Sequence, residues 1–162
     1  MVFQRSYLLV VLLLALAIIG TGVVTASLQQ AVDASDDGYL IIMSEGTWNE
    51  NVVIDKDLTI MGSGEGETII DGSGQLTDPT VTVDSADVVL ESLTITKPVF
   101  GSFYGGGIHN DGGTLSLRDA EVTNCIASYG GGIYNTNGGI LTITDSSISG
   151  SWTNGNGGGI YN

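Results

Sequence analysis

Few side chains in this chain can do acid–base or nucleophilic chemistry, and their types limit what that chemistry is. Beyond residue 26 there is one histidine, His109, one arginine, Arg118, two lysines, Lys56 and Lys97, and one cysteine, Cys125. Carboxylates are plentiful: 18 in all, against four Lys and Arg, for a formal net charge of −14. Polysaccharide cleavage is one chemistry that can be checked against such a set. A hydrolase needs two carboxylates converging on one glycosidic bond. A lyase needs a base and a carboxylate cluster that holds calcium over an acidic sugar. An esterase needs paired aspartates with an arginine. Arg118 with Asp119, Asp111 and Asp145 is the one grouping with those types. Asp119 and Asp145 both follow apolar runs, where aspartate is also ordinary turn chemistry, and the turn reading is the simpler. His109 has only Asp111 close in sequence to orient it as a base. No residue is therefore assigned a catalytic role, and the expectation is a chain without polysaccharide- or ester-cleaving activity.

Metal and cofactor readings fare no better. Asp33, Asp36 and Asp37 form one oxygen set, Asp71 and Asp78 another, and neither has the spacing of a calcium loop. Gly62-Ser-Gly-Glu-Gly-Glu67 lacks the lysine of a phosphate cradle, and its glutamates repel phosphate. No metal-binding or cofactor-binding residue is assigned. Cys125 is alone and reads as a small buried residue. Lys56 sits between Asp55 and Asp57 and neutralises their repulsion. Lys97 precedes Pro98 at the edge of an aromatic interruption that holds Phe100, Phe103 and Tyr104. The acidic balance repels nucleic acid and anionic headgroups, so neither is an expected partner.

The elements that must position these residues are repeats. Gly-Gly-Gly-Ile-Tyr-Asn stands at residues 130–135 and 157–162. A third copy at 105–110 differs only by His109 in place of tyrosine, so the copies start 25 and then 27 residues apart. A fixed period of this size marks a solenoid whose repeats stack on their neighbours. Between the boxes, Leu115-Ser-Leu117 recurs as Leu141-Thr-Ile143, and Val122 as Ile148. Val88-Val-Leu90 with Ile95, and Leu58-Thr-Ile60, are upstream copies without a box. Three apolar columns follow: Val81, Ile108, Ile133 and Ile160; Leu58, Val88, Leu115 and Leu141; Ile95, Val122 and Ile148. Within each run, apolar and small polar residues alternate, the period of a half-buried strand. Three short strands per repeat make one coil of a parallel β-helix. Asn110, Asn135 and Asn162 fall at one place in successive coils and are expected to stack as an amide ladder. Thr59, Thr94, Ser116 and Thr142 are expected outside.

The boxes, followed by Gly-Gly-x-Leu-x-Ile, resemble the repeats of polymorphic outer membrane proteins and related bacterial surface proteins. That resemblance covers residues 105–162. It implies a right-handed parallel β-helix of the pectin-lyase-like type. The family pairs a phenylalanine with an asparagine three residues later; here Val122 with Cys125, and Ile148 with Ser151, stand in those places. A second stretch, from Ser44 through Leu58-Thr-Ile-Met-Gly62 to Thr68-Ile-Ile-Asp-Gly72, resembles the opening rungs of pectin-lyase-like proteins, among them carbohydrate esterases and lyases.

The expected organisation is all-β, with a β-helix of about five rungs. Residues 1–26 read as a secretory signal peptide helix. Arg5 precedes an apolar run over 7–19, and small residues end it at Val24-Thr25-Ala26. If it is not cleaved, it becomes the one membrane anchor. Residues 27–38 form an N-terminal cap, with Leu28, Ala31 and Val32 at helical spacing. Residues 39–162 carry the repeats, read as cut short within a longer array. A non-catalytic scaffold or adhesin-like protein, secreted or displayed at the cell surface or outer membrane, is the leading expectation. Its expected partners are surface glycans or components of a neighbouring or host cell. The alternatives are the N-terminal part of a carbohydrate-active enzyme and a glycan-binding solenoid face. Tyr134, Tyr161 and the outward threonines are the residues such a face would use.

Overall fold

The computed structural model describes the backbone of residues 11–14, 17–19, 22–24 and 27–162, and the side chains of 27–101 and 104–162. The chain winds as an all-β parallel solenoid. A first sheet stacks Tyr39–Met43, Leu58–Met61, Asp87–Glu91, Thr114–Arg118 and Ile140–Thr144. A second stacks Gly46–Asn49, Thr68–Asp71, Thr94–Thr96, Glu121–Thr123 and Ser147–Ser149. The third stacks Val52–Ile54, Val81–Asp84, Ile108–Asp111, Ile133–Thr136 and Ile160–Tyr161. Five rungs are thus joined by four steps, or about four turns.

The register carries the repeat directly into the core. Tyr39, Leu58, Val88, Leu115 and Leu141 pair in line in the first sheet. Trp48, Ile70, Ile95, Val122 and Ile148 do so in the second. Val52, Val81, Ile108, Ile133 and Ile160 do so in the third. Ile70, Ile95, Ile108, Leu115, Val122 and Ile133 are completely buried. Burying each such aliphatic side chain contributes about 1.5–3 kcal/mol. A parallel stack makes that burial depend on the rungs above and below, because no single rung encloses its own core.

Corners are made by residues that reach the left-handed backbone region. Ser92, Asp119 and Asp145 follow successive strands of the first sheet at φ 53, 47 and 49°. Asn124 makes the next corner at φ 53°, with Gly150 its counterpart one rung later at 58°. Asn and Asp tolerate this region better than other residues with a Cβ because their short polar side chains bond locally.

Two features differ from the three-strand coil expected. The last three rungs carry a fourth strand each, Ser102–Tyr104, Ile126–Tyr129 and Trp152–Thr153, paired in parallel between the second and third sheets. The aromatic interruption after Lys97 therefore ends in a strand, Ser102–Tyr104. Its last three residues found a sheet, because Ile126–Tyr129 offers an edge for them to pair with. The second difference is at the start. Residues 11–14 form a strand parallel to Tyr39–Met43, and 17–19 pairs antiparallel with 22–24, where a signal helix was expected. Val11–Leu14 lies on the open edge of the first sheet, paired with Leu40–Met43. The signal-peptide reading of residues 1–26 otherwise falls on residues outside those described.

The helix Leu28–Ala34 closes the edge of Val52–Ile54. Ser27 and Gln30 form a reciprocal capping box. Leu28, Ala31 and Val32 face the core. The Gln29 carboxamide acts as one more strand residue: Oε1 accepts from Val53 N at 2.7 Å, and Nε2 donates to Val53 O at 3.1 Å. Glu50 accepts from the amides of Leu28 and Gln29 at 2.8 and 3.1 Å. Lys56 donates to the carbonyls of Val32 and Asp33 at 3.1 and 2.9 Å. Its ammonium thus serves the far end of the helix, where carbonyls are left over, rather than the flanking aspartates.

Candidate functional site

The glycine box builds a corner between the fourth and third sheets. Its first glycine is left-handed at each copy, with φ 59, 58 and 71° at Gly105, Gly130 and Gly157. A Cβ there would lie 2.1–2.4 Å from the carbonyl oxygen three residues on. The backbone therefore folds tightly on itself, and the residues flanking the corner come together on the outside. Box position four points into the core, as Ile108 and Ile133 show by their complete burial. Position five points out, by strand alternation.

Position five is His109, Tyr134 and Tyr161, which pair in line across three rungs. Tyr104 and Tyr129 precede the first two boxes and pair with each other. The five rings form one connected column. Tyr134 and Tyr161 stack at 4.9 Å and 17°. His109 meets Tyr134 edge-on at 5.3 Å. Tyr104 lies 4.8 Å from Tyr134 and 6.1 Å from Tyr129. Tyr129 reaches Tyr161 at 6.2 Å. Contacts of this kind contribute about 0.5–1.5 kcal/mol each beyond area burial. Tyr104 and Tyr129 nevertheless remain 45% and 39% exposed. Beside them, on the outside of the fourth sheet, Phe100 and Trp152 meet edge to face at 6.4 Å, and Trp152 is 56% exposed.

Around the last two rungs the column sits in a surface without formal charges, and Asp111 lies beside His109 on the first. Residues 98–108, 122–144 and 146–162 contain no Asp, Glu, Lys or Arg, although the chain has 18 acidic residues. His109 is held below the ordinary imidazole range because burial disfavours its charged form; Asp111 opposes this more weakly. Its Nε2 is buried and has no hydrogen-bond partner among the described residues. The ring is therefore neutral near pH 7 and behaves as a member of the aromatic column.

Of the other residues singled out by type, Asp111 borders this surface next to His109 and the rest lie elsewhere. Asp119 and Asp145 are corner residues at positive φ, and Asp119 accepts from the Ser92 hydroxyl at 3.2 Å. Arg118 is exposed at the end of a first-sheet strand, with Glu91 and Thr144 as register neighbours. Asp111 takes a hydrogen bond from Asn137. Asp37 accepts from Asp57 N at 3.1 Å, Asp33 from Gln29 at 2.8 Å, and Asp36 from the Tyr39 hydroxyl at 3.4 Å. Asp71 accepts from Ser73 N at 2.8 Å. Among the described residues no three His, Cys, Asp or Glu side chains are grouped to hold a metal ion. Cys125 is buried, and burial drives its thiol up to about 12, so it is not a nucleophile at neutral pH.

Two expectations are corrected here. Lys97 is not at a loop edge. Its side chain is completely buried, and Nζ donates to the carbonyls of Gly72 at 3.2 Å, Asp78 at 2.6 Å, and Gln75. Three carbonyls replace the water that an ammonium loses on burial, and the lysine ties down the turn Gly72–Gly74 and the loop after it. Burial still lowers its pKa, with Asp78 the main opposing charge. The hydroxyl face also differs. Thr94 belongs to the second sheet, away from Thr59, Ser116 and Thr142, and is covered because its Oγ1 accepts from Gly66 N at 2.8 Å. In the first sheet Leu40 and Val89 share the outward column with Thr59, Ser116 and Thr142. A continuous hydroxyl column exists instead on the second sheet, at Thr96, Thr123 and Ser149, with Thr123 and Ser149 hydroxyls 3.0 Å apart.

Tyr104, Tyr129 and Trp152 were not singled out by type as binding residues. The signal for two of them is in the sequence: Tyr104 and Tyr129 each stand immediately before Gly-Gly-Gly. Fold and surface together define a parallel β-solenoid with a neutral aromatic corner. No protein family, curated protein or solved structure matches the chain at a significant level.

Proposed function

We propose that this chain is a non-catalytic β-solenoid module of the cell surface that binds glycans through its aromatic corner. The observation that carries the reading is the unbroken ring column of Tyr104, Tyr129, His109, Tyr134 and Tyr161, partly exposed in a surface that carries no basic group. Solvent-exposed aromatic groups on a rigid scaffold are binding elements more often than accidents, because burying them against a partner gains much area at little entropic cost. Sugars offer such rings both apolar C–H faces and hydroxyls. Export is supported by Arg5 and the apolar run after it, which ends in small residues at Val24-Thr25-Ala26. The box repeats support a place among right-handed pectin-lyase-like solenoids of bacterial surfaces. Nucleic acid is disfavoured by the charge.

A lack of catalysis is part of the proposal. The carboxylates nearest Arg118 in the repeat are corner residues, and a catalytic rung needs groups converging on one substrate atom. The test is incubation of the purified chain with pectate, alginate and neutral glycans, with and without calcium. Retention on a glycan without turnover is expected. Turnover abolished by Arg118→Ala or Asp145→Ala would overturn the reading in favour of a carbohydrate-active enzyme. For export, mass spectrometry of the secreted protein should find a new N-terminus near Ser27; a retained Met1 in a membrane fraction would make residues 1–26 an anchor.

A further inference from the structure

We propose that the ligand of the aromatic corner is an uncharged, extended β-linked glycan that lies along the solenoid axis, across the last three rungs; this rests on the glycan-binding reading above. Charge selects the class. The corner itself offers no lysine or arginine to pair with a carboxylate or sulfate, and the chain carries −14 overall. The nearest acids on the same sheet, Asp84 and Asp111, stack in the outward column next to His109 and repel an anionic sugar. A neutral sugar meets neither penalty. It also finds neutral hydrogen-bonding groups: Asn154 and Asn156 are exposed in the loop after Trp152.

Periodicity selects the direction. Outward groups at equivalent positions recur along the axis at the strand spacing of roughly 4.8 Å. Along a rung, by contrast, the next aromatic side chain after Trp152 is Tyr161, nine residues on and past the box corner. An extended β-linked glycan advances by about one strand spacing per sugar, so successive sugars meet equivalent rings, His109, Tyr134 and Tyr161. The exposed rings Phe100 and Trp152 then stack against the sugar face, and Tyr129 lies on the preceding rung, three residues past Ile126, the register partner of Trp152. The rung count sets the footprint at three or four sugars.

The experiment is titration of the full chain with a length series of cello-oligosaccharides and with polygalacturonate, at two salt concentrations. Affinity should rise at least tenfold from the disaccharide to the tetrasaccharide and then level off, with no salt dependence. Trp152→Ala and Tyr129→Ala should each weaken tetrasaccharide binding about tenfold, with an unchanged far-ultraviolet spectrum. Binding that ignores length would overturn the axial placement. Tighter, salt-sensitive binding of polygalacturonate would overturn the uncharged class while leaving glycan binding in place. Binding of neither sugar, with no retention on other glycans, would remove the glycan reading itself.

Discussion

The first two rungs and the last three solve the same problem in different ways. Both must turn the chain three or more times per coil and find partners for the buried backbone and amide groups that the turns create. The early rungs do it with individual side chains. The Gln29 amide seals one strand edge, Lys97 reaches back from the third rung to fill a nest of three second-rung carbonyls, and Asn51 donates to the carbonyls of Asp78 and Pro79 at 3.1 and 2.6 Å. The late rungs do it with a repeated device. Asn110 donates to Asn135 at 2.6 Å and Asn135 to Asn162 at 2.5 Å, while each also bonds a corner carbonyl, of Gly113 and Gly139 respectively. One-off solutions need specific long side chains, which fill the surface and carry charge. A repeated device leaves the outward positions free to be chosen for something else, and there the rings appear.

The strongest way to break the late rungs is at their core. Ile133 is completely buried between Ile108 and Ile160. Ile133→Asp places an unpaired charge there and should cost more than about 4 kcal/mol, enough to abolish cooperative folding. Circular dichroism would show loss of the β signal; a wild-type melt would mean that the box isoleucine does not face inward.

Lys97→Met tests the early device. It preserves length but leaves three carbonyls without a donor, at about 1–3 kcal/mol. Proteolysis should open the loop between Gly74 and Thr80 first, while the box rungs stay resistant. Equal protection of that loop in the variant would show that the lysine is not what holds it.

Breaking the amide ladder is a smaller change. Asn135→Ala removes the middle link and should cost about 1–3 kcal/mol. Because Asn135 serves both neighbours, its loss should destabilise more than removal of Asn162, whose amide is at the ladder's end. Thermal melts of the two variants compare them directly, and equal shifts would mean that the ladder is not cooperative.

The smallest effect concerns pH. His109 is held below its unfolded pKa of about 6.5, so the unfolded chain binds the proton more readily than the folded one. Its contribution to stability is full above about pH 6.5 and is lost as pH falls below that value. His109→Tyr, which restores the repeat residue, should flatten this part of the stability–pH curve. An unchanged curve would assign the pH dependence to other groups.

Much of this molecule was legible in the residues. The apolar columns, the inward box isoleucine, the asparagine ladder and the short opening helix all follow from spacing, because a stacked solenoid maps one repeat onto the next without change. The single roles of Lys97, Lys56 and Gln29 were not legible, since nothing in a non-repeating segment says which carbonyls lie within reach of a long side chain. The fourth strand was hidden for a related reason: Ser102–Tyr104, Ile126–Tyr129 and Trp152–Thr153 share little in sequence, and pairing with a neighbour, not propensity, makes them strands.

Sequence by itself therefore determined the stack: periodic apolar residues can be buried together only if successive repeats lie in register. What the tertiary structure alone decided is which side chains meet across a corner. Tyr104 and Tyr134 are 30 positions apart in the chain, yet their rings lie 4.8 Å apart. That approach depends on how tightly a glycine box turns and on a strand that exists only because its neighbour does, and neither is a property of any residue read alone.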